Sequence, residues 1–197
     1  VIPGVELTAR GRIVHLGAYG EAVRYADASG TPISRPVPMT VDTIFDLASI
    51  TKLFTATVVL RAVEVGELAL DRPVSAYIPH FHPGVTVRHL LIHTSGLPAV
   101  RELWTVPGGR AERADAVLAS RTEAPPGQRH VYSCVGYLVA GLLLERVLGA
   151  PLPDLVARYV TGPLDMASTG FGLDGAALDR AAATEYSAHV GRGMVHG

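Results

Sequence analysis

The amino-acid sequence predicts an α/β (α+β) fold, in which an antiparallel sheet is flanked by helices and accompanied by an all-helical subdomain. The opening residues alternate between apolar and polar side chains, as strands do, whereas the middle of the chain carries apolar residues at helical spacing. A chain of 197 residues is long enough to bury a core. We expect an N-terminal hairpin and a long helix in residues 1–70, the helical subdomain in 71–165 and a loop-rich segment in 166–197.

The composition points to a small-molecule partner. Lys and Arg number 17 against 18 Asp and Glu, a formal net charge of -1, so there is no electrostatic case for binding nucleic acid or an anionic membrane. The longest apolar stretch, 135–144, is too short to span a bilayer. A single cysteine, Cys134, excludes an internal disulfide and a cysteine-based zinc cluster. The chain starts at Val1 with no signal-peptide pattern, so localisation stays open between cytoplasm and secretion after loss of an upstream signal.

The first elements in the chain are strands. Residues 4–20 alternate around Arg10, Gly11 and Arg12, which predicts two antiparallel strands joined by a tight turn. Residues 27–43 are expected to be a connector without extended regular structure, because glycine and prolines interrupt them: Gly30, Pro32, Pro36 and Pro38.

Helices follow. Apolar residues recur at helical spacing across 49–70, and Gly66 marks a break near the end. Shorter helical patches are predicted at 87–92, 113–120, 134–148 and 152–159. Beyond Pro163 the composition turns to Gly, Ala and Thr, and no strand is evident before the last residue.

One lysine carries the strongest chemical signal. Sixteen of the 17 basic side chains are arginine, and the exception, Lys52, comes three residues after Ser49. An arginine stays protonated, whereas a desolvated lysine near a positive field can lose its charge and act as a base. If Ser49 opens a helix, Lys52 lies one turn on along the same face, within reach of the serine oxygen. The positive helix start would disfavour the ammonium, and the Ser49 N–H could bind an oxyanion.

A structural interpretation of these residues competes with the catalytic one. Ser49 would then cap the helix and Lys52 would be a solvated residue of its first turn, because short motifs such as S-x-x-K often occur by chance.

Three segments together resemble a known family, the serine β-lactamases and penicillin-binding proteins, and within it the class C β-lactamase and esterase branch. Residues 45–52 resemble the nucleophile segment with its S-x-x-K motif, and 87–98 resemble the helix and loop that follow it. Pro126-Gly127 and 132–137 resemble the Y-x-N element. The resemblance implies a β-lactamase/transpeptidase-like fold and a second proton-transfer role for Tyr132, near Ser49 and Lys52. Without the other segments, Tyr132 would be read as a half-buried aromatic.

The sequence departs from this family at two points. Cys134 stands where the family usually has the asparagine that binds an amide carbonyl, so this substrate-binding position favours an ester over a β-lactam or a peptide. A third motif of the K-T-G or H-x-G kind is not matched, and His196-Gly197 is not assigned to it because its setting resembles a loop. We therefore expect the fold to be incomplete at the C-terminus, or completed by a second chain, or to pair its open edge abnormally.

Other residues have weaker claims. Trp104 is a candidate to cover the acyl pocket, or an ordinary packing residue. His89 and His93 stand at i and i+4, yet no carboxylate or cysteine completes a ligand set, so we predict no metal and no cofactor. Cys134 with His130 could form a nucleophilic thiolate, but a mostly buried helical cysteine is the commoner state.

The sequence thus predicts a serine hydrolase that acts through an acyl-enzyme on an ester. The alternatives are a β-lactamase or D-Ala-D-Ala peptidase, and a non-catalytic binding or sensing module that keeps the cleft without turnover.

Overall fold

The computed structural model describes residues 4–9, 12–27, 29–173, 175–187 and 193–196. They form two compact units, one from Val1–Ala48 with Phe171–Gly197 and one from Ser49–Gly170. The three-part division of the chain at residues 70 and 165 stays a prediction about its domains. In chain order the strands are β1 (Gly4–Ala9), β2 (Arg12–Ala18), β3 (Glu21–Tyr25), β4 (Pro32–Pro38), β5 (Ala183–Ser187) and β6 (Gly193–His196), and the helices are α1 (Thr51–Glu64), α2 (Val87–Leu91), α3 (Arg110–Leu118), α4 (Cys134–Leu148), α5 (Leu152–Val156) and α6 (Gly175–Asp179).

The first unit is built from antiparallel strand pairs. β1 pairs with β2, which confirms the expected N-terminal hairpin, although its turn residues Arg10 and Gly11 lie outside the described residues. β3 pairs with β4, and β5 pairs with β6. Its hydrophobic cluster is small and consists of Ala22, Met39 and Ala182 with Ala18 against them.

Two expectations for this unit were wrong. The connector 27–43 contains β4. Among the described residues β4 pairs with β3 alone, and an edge strand tolerates prolines because an N–H missing from its unpaired edge costs little. The end of the chain contains β5 and β6, where no strand was expected and where 193–196 was taken for a loop. These strands consist largely of small or polar residues, so strand pairing forms them without an apolar pattern in the sequence.

The second unit is helical, as the middle of the chain predicted. α1 ends at Glu64, and Gly66 follows with a φ of 84°, in the left-handed conformation that glycine adopts at helix ends. The shorter helices lie within a few residues of their predicted positions, and α4 matches 134–148. α5 continues into a π-helical turn, Ala157–Thr161.

Helix α4 is the centre of the helical unit. α1, α2, α3 and α5 all contact it, and its side chains Val135, Val139, Leu143 and Leu144 are fully buried. Each such side chain contributes about 1.5 to 3 kcal/mol by leaving water. The N-terminal end of α4 is therefore fixed relative to α1, and this is where the candidate site forms.

None of the described helices is by itself both long and apolar enough to cross a lipid bilayer. The pair Cys134–Leu148 and Leu152–Thr161 would qualify if joined, but the two helices are bent by 80° relative to each other.

Candidate active site

Ser49 and Lys52 meet at the start of α1. A 3₁₀ turn, Ala48–Ile50, leads into the helix, so Ser49 lies just before α1 and Lys52 is its second residue. The Lys52 Nζ donates a hydrogen bond to the Ser49 Oγ over 3.2 Å. Ser49 is exposed and Lys52 half-buried, which leaves the serine oxygen open to a substrate. One turn of chain thus creates the contact that the spacing predicted.

Tyr132 reaches the same two residues from a distant part of the chain. Its phenol lies close enough to Lys52 and Ser49 for both to lower its pKa, and the Lys52 Nζ lies 4.9 Å from the centre of the tyrosine ring. The side chain is 48% exposed, so it is open to solvent. The structure therefore brings Ser49, Lys52 and Tyr132 together in one cluster within the helical unit.

The N-terminal end of α4 positions Tyr132. Ser133, buried next to it, is the N-cap of α4: its Oγ accepts a hydrogen bond from the Gly136 N–H at 2.9 Å and donates one to the Pro98 carbonyl at 2.6 Å. The Cys134 N–H donates to the Ala99 carbonyl at 2.8 Å. These bonds attach the start of α4 to the segment that follows α2.

Electrostatic interactions within the cluster determine which group carries charge. The pKa of Lys52 is raised: burial lowers it, but hydrogen bonds with the Tyr132 phenol and the Cys134 thiol and attraction to both groups outweigh burial. The pKa of Tyr132 is lowered from its ordinary value of 10.0, first by the hydrogen bond with Lys52 and then by that with Ser49. The expected neutral lysine was wrong, because the partners of Lys52 favour the ammonium more than burial disfavours it.

Cys134 also belongs to this cluster. It is the first residue of α4 and is half-buried, and its thiol lies near enough to Lys52 to raise the pKa of that amine. The expectation of a mostly buried helical cysteine did not include this interaction with Lys52.

Trp104 is not connected to the cluster in the same way. It lies in the 3₁₀ segment Leu103–Thr105, which contacts α3, and its side chain is 51% exposed. Among the described residues no hydrogen bond or ring contact links it to Ser49, Lys52 or Tyr132. Its role at the acyl pocket stays a prediction.

The histidine pair at 89 and 93 does not share a helix face. α2 ends at Leu91, and His93 has a left-handed backbone with a φ of 59°. The His89 Nδ1 accepts from the Thr86 N–H at 3.3 Å, whereas the His93 Nδ1 accepts from the Ser133 N–H at 3.1 Å. The structure also shows no grouping of three or more metal-binding side chains within the part of the chain that it describes.

Sequence reasoning missed His93 as a functional residue. Its ring packs against that of Tyr132, with centroids 4.6 Å apart, and it lies 5.1 Å from Tyr137 and 5.9 Å from His130. The one signal available was its position in a segment that resembles the family, next to Thr94 and Ser95. That signal gives no direction for the side chain, because the direction depends on how the helix ends.

The chain is similar to known proteins along most of its length. The sequence profile of the Beta-lactamase family matches residues 2–195. Esterase EstB of Burkholderia gladioli is 36% identical over 199 residues, 87% of this chain and 47% of EstB. N-acetylmuramyl-L-alanine amidase of Bacillus subtilis (strain 168) is 33% identical over 177 residues, 81% of this chain and 40% of the amidase. A crystal structure of a class C β-lactamase shares the fold, with a TM-score of 0.78 and 24% sequence identity. The superposition covers 98% of this chain and 51% of the β-lactamase chain. The chain spans less than half the length of either relative.

Proposed function

This chain belongs to the Beta-lactamase family, and from that membership we propose that it is a serine hydrolase in which Ser49 forms an acyl-enzyme. The family match confirms the predicted family, and the shared fold confirms the predicted α/β architecture. The observation that carries the proposal is the hydrogen bond between Lys52 and Ser49, with the Tyr132 ring 4.9 Å from the Lys52 Nζ. The activity of the whole protein is inferred from these residues.

In the proposed acylation step, Tyr132 is the base. Its lowered pKa makes the phenolate accessible, and the Lys52 ammonium stabilises that phenolate. The phenolate takes the proton of the Ser49 hydroxyl while the Oγ bonds to the substrate carbonyl carbon. When the tetrahedral intermediate collapses, the bond to the leaving group breaks and Tyr132 returns the proton to the departing oxygen.

Deacylation repeats the same proton transfers with water. Tyr132 takes a proton from the water as its oxygen attacks the acyl carbon, and the proton then moves to the Ser49 Oγ as the acid leaves. Throughout, Lys52 stays protonated and donates to the serine oxygen. The residues of this chain supply every proton transfer, so this route uses no cofactor.

An ester is the substrate class that we favour. Cys134 stands where the family has a carboxamide, and a thiol is a weak donor for an amide carbonyl. An ester has a better leaving group than an amide and no N–H to orient. The relative that is 36% identical is named an esterase.

Amide hydrolysis is the second candidate. Its support is the 33% identity with an amidase, a protein whose name refers to an N-acetylmuramyl-L-alanine bond. A binding or sensing module, which would acylate without turnover, is the outcome that slow release of the acyl group would reveal.

Covalent labelling tests the proposal. We expect a fluorophosphonate to add its mass to Ser49, with the modified peptide identified by mass spectrometry, and Ser49→Ala to abolish the label. Ser34→Ala, which removes an exposed serine of β4, is the control and should label as the unmodified protein does. An intact mass unchanged by both a fluorophosphonate and a penicillin would contradict the proposal.

Turnover separates the substrate classes. Hydrolysis of a short-chain nitrophenyl ester that clearly exceeds that of a chromogenic cephalosporin supports the esterase. The reverse ranking supports an enzyme that acts on β-lactam amides, and a stable label with neither hydrolysis supports the sensing module.

A further inference from the structure

His93 occupies an unusual backbone position for a residue with a side chain. It follows the end of α2 with a φ of 59°, a left-handed conformation that costs a non-glycine residue roughly 1 to 2 kcal/mol. A fold retains such a conformation when contacts elsewhere stabilise it. Besides a hydrogen bond to the Leu90 carbonyl and the ring of Tyr137, its contacts lead to the segment that carries Tyr132.

Three contacts connect His93 to residues 131–133. Its carbonyl accepts a hydrogen bond from the Val131 N–H at 2.9 Å, and its Nδ1 accepts one from the Ser133 N–H at 3.1 Å. Between these two bonds, the imidazole ring packs against the Tyr132 ring at 4.6 Å. The residues before and after the tyrosine are thus both bonded to His93, which leaves the tyrosine backbone little freedom to rotate.

The imidazole is held in its neutral form. Burial lowers the pKa of His93, and the charges of His130 and Lys52 lower it further. An Nδ1 that accepts from a backbone N–H has no proton of its own, which places the ring proton on Nε2. Lys52 of α1, Tyr137 of α4, and Tyr132 and His130 before α4 are the titratable groups around the ring.

We propose that His93 is a positioning residue for Tyr132, fixing the phenol beside Ser49 through its two backbone hydrogen bonds and its ring contact. This inference rests on the proposed hydrolase and adds a residue that acts through the tyrosine. His93 touches neither the serine nor the acyl group in the proposed mechanism, and its effect is to keep the base within hydrogen-bonding distance.

A loss of activity at acid pH follows from this arrangement. Protonation of Nδ1 replaces the acceptor for the Ser133 N–H with a second donor, and it adds a positive charge near the Lys52 ammonium. Because the pKa is lowered from 6.5, the change occurs below that pH. Protonation of His93 should therefore lower the rate of Ser49 acylation at acid pH, giving the pH profile an acid limb. This effect adds to the pH dependence that the ionisation of Tyr132 sets.

Two substitutions separate the contacts. His93→Asn keeps an acceptor near the Nδ1 position and tolerates the left-handed backbone, but it lacks the ring and does not titrate. His93→Phe keeps a ring and loses the acceptor. We expect His93→Phe to lower the rate constant for fluorophosphonate labelling roughly tenfold to a hundredfold, the cost of a small misplacement of a reacting group. His93→Asn should lose less and should lack the His93 acid limb.

The control is another histidine with the same kind of bond. The His82 Nδ1 accepts from the Gly84 N–H at 3.1 Å, outside the catalytic cluster. His82→Asn should keep the labelling rate and its pH profile. Melting temperatures of all variants show whether a loss reflects unfolding, since a purely structural His93 would lower stability and leave the pH profile of the folded fraction unchanged.

NMR of the imidazole nitrogens tests the inference without any activity. In the unsubstituted protein we expect the Nε2–H tautomer of His93 and a titration below the ordinary histidine range. A protonated Nδ1 at neutral pH, or wild-type labelling rates at every pH in both His93 variants, would overturn the inference. If the unsubstituted protein never labels, the hydrolase proposal fails, and NMR alone then tests the inference. An Nε2–H tautomer of His93, together with Tyr132 resonances that shift in His93→Asn, would show that His93 positions the phenol. Tyr132 resonances that stay in place would show that it does not.

Discussion

Two regions of the helical unit build the candidate active site, and different interactions hold them. At the start of α1, Ser49 and Lys52 are brought together by a single turn of chain, with one hydrogen bond of 3.2 Å between them. At the start of α4, the position of Tyr132 depends on a segment 35 to 40 residues earlier, because Ser133 and Cys134 bond to His93, Pro98 and Ala99. We call Ser49 and Lys52 the local pair. We call residues 131–134, together with the segment 93–99 to which they bond, the assembled region.

The two regions differ in how closely catalytic activity and folding stability are coupled. The local pair is mostly exposed, so its side chains can change without disturbing the core. The assembled region contains buried groups such as Ser133, which is 1% exposed, and there a change of one atom affects both the fold and the position of the phenol. Substitutions in the two regions should therefore differ in whether stability and activity change together.

The largest expected effect comes from the local pair. Lys52→Met removes the ammonium that stabilises the Tyr132 phenolate, and we expect the labelling rate of Ser49 to fall about 10³-fold, the scale of a lost acid–base contribution. The melting temperature should change little, because Lys52 lies in the first turn of α1 and is not part of the buried core. Labelling kinetics and thermal unfolding measured on the same samples check this.

The pH profile of Lys52→Met tests whether Lys52 lowers the pKa of Tyr132. Lys52 lowers the pKa of Tyr132, so acylation should rise with pH through this lowered value in the unsubstituted protein. In Lys52→Met the rise should move to higher pH, towards the ordinary tyrosine value of 10.0. A rise that stays in place would show that Tyr132 is not the base.

The next effect is expected in the assembled region. Gly96 has a φ of 75°, and a Cβ there would lie 2.0 Å from the Ala124 carbonyl oxygen. Gly96→Ala should therefore lower the free energy of unfolding by about 3 kcal/mol or more and reduce labelling with it. Gly66→Ala is the matched control, with a φ of 84° and no atom within 4 Å of the added Cβ.

That control should lose about 1 kcal/mol, the cost of the left-handed backbone alone, and label normally. Equal losses in the two variants, measured by denaturant unfolding, would show that the contact with Ala124 does not stabilise the assembled region.

The smallest effect concerns the cap of α4. Ser133→Ala removes the bonds to the Gly136 N–H and the Pro98 carbonyl, and we expect a loss of about 2 kcal/mol in the free energy of unfolding. Labelling should fall modestly, because the Ser133 backbone N–H still bonds to His93. Thr57→Ala is the control: its Oγ1 donates to a carbonyl on the exposed face of α1, so stability should hardly change. Unfolding curves that coincide for both variants would contradict the role of the cap.

The sequence predicted the local pair because its geometry is fixed by helical spacing. It did not predict the charge of Lys52, which depends on Tyr132 and Cys134 at the N-terminal end of α4. Tyr132 could be proposed through the family resemblance alone, since nothing in its spacing from Ser49 brings the two together. His93 could not be identified, because its direction depends on where α2 ends and on its left-handed backbone.

The fold was predictable where side chains carried a clear period. The hairpin of β1 and β2 and the helices α1 and α4 have such a pattern and were expected close to where they lie. β4 was missed because its prolines suggested irregular chain, and β5 and β6 because strands of small and polar residues form through their partners.

The placement of Lys52 has a practical consequence for reagents. It is the single lysine among these 197 residues, and its amine lies half-buried against the nucleophile. Within this sequence, amine-selective acylating dyes and crosslinkers therefore meet one lysine target, apart from the terminal amine. A substrate that occupies the catalytic cluster would shield that amine, so the extent of dye incorporation becomes a measure of occupancy.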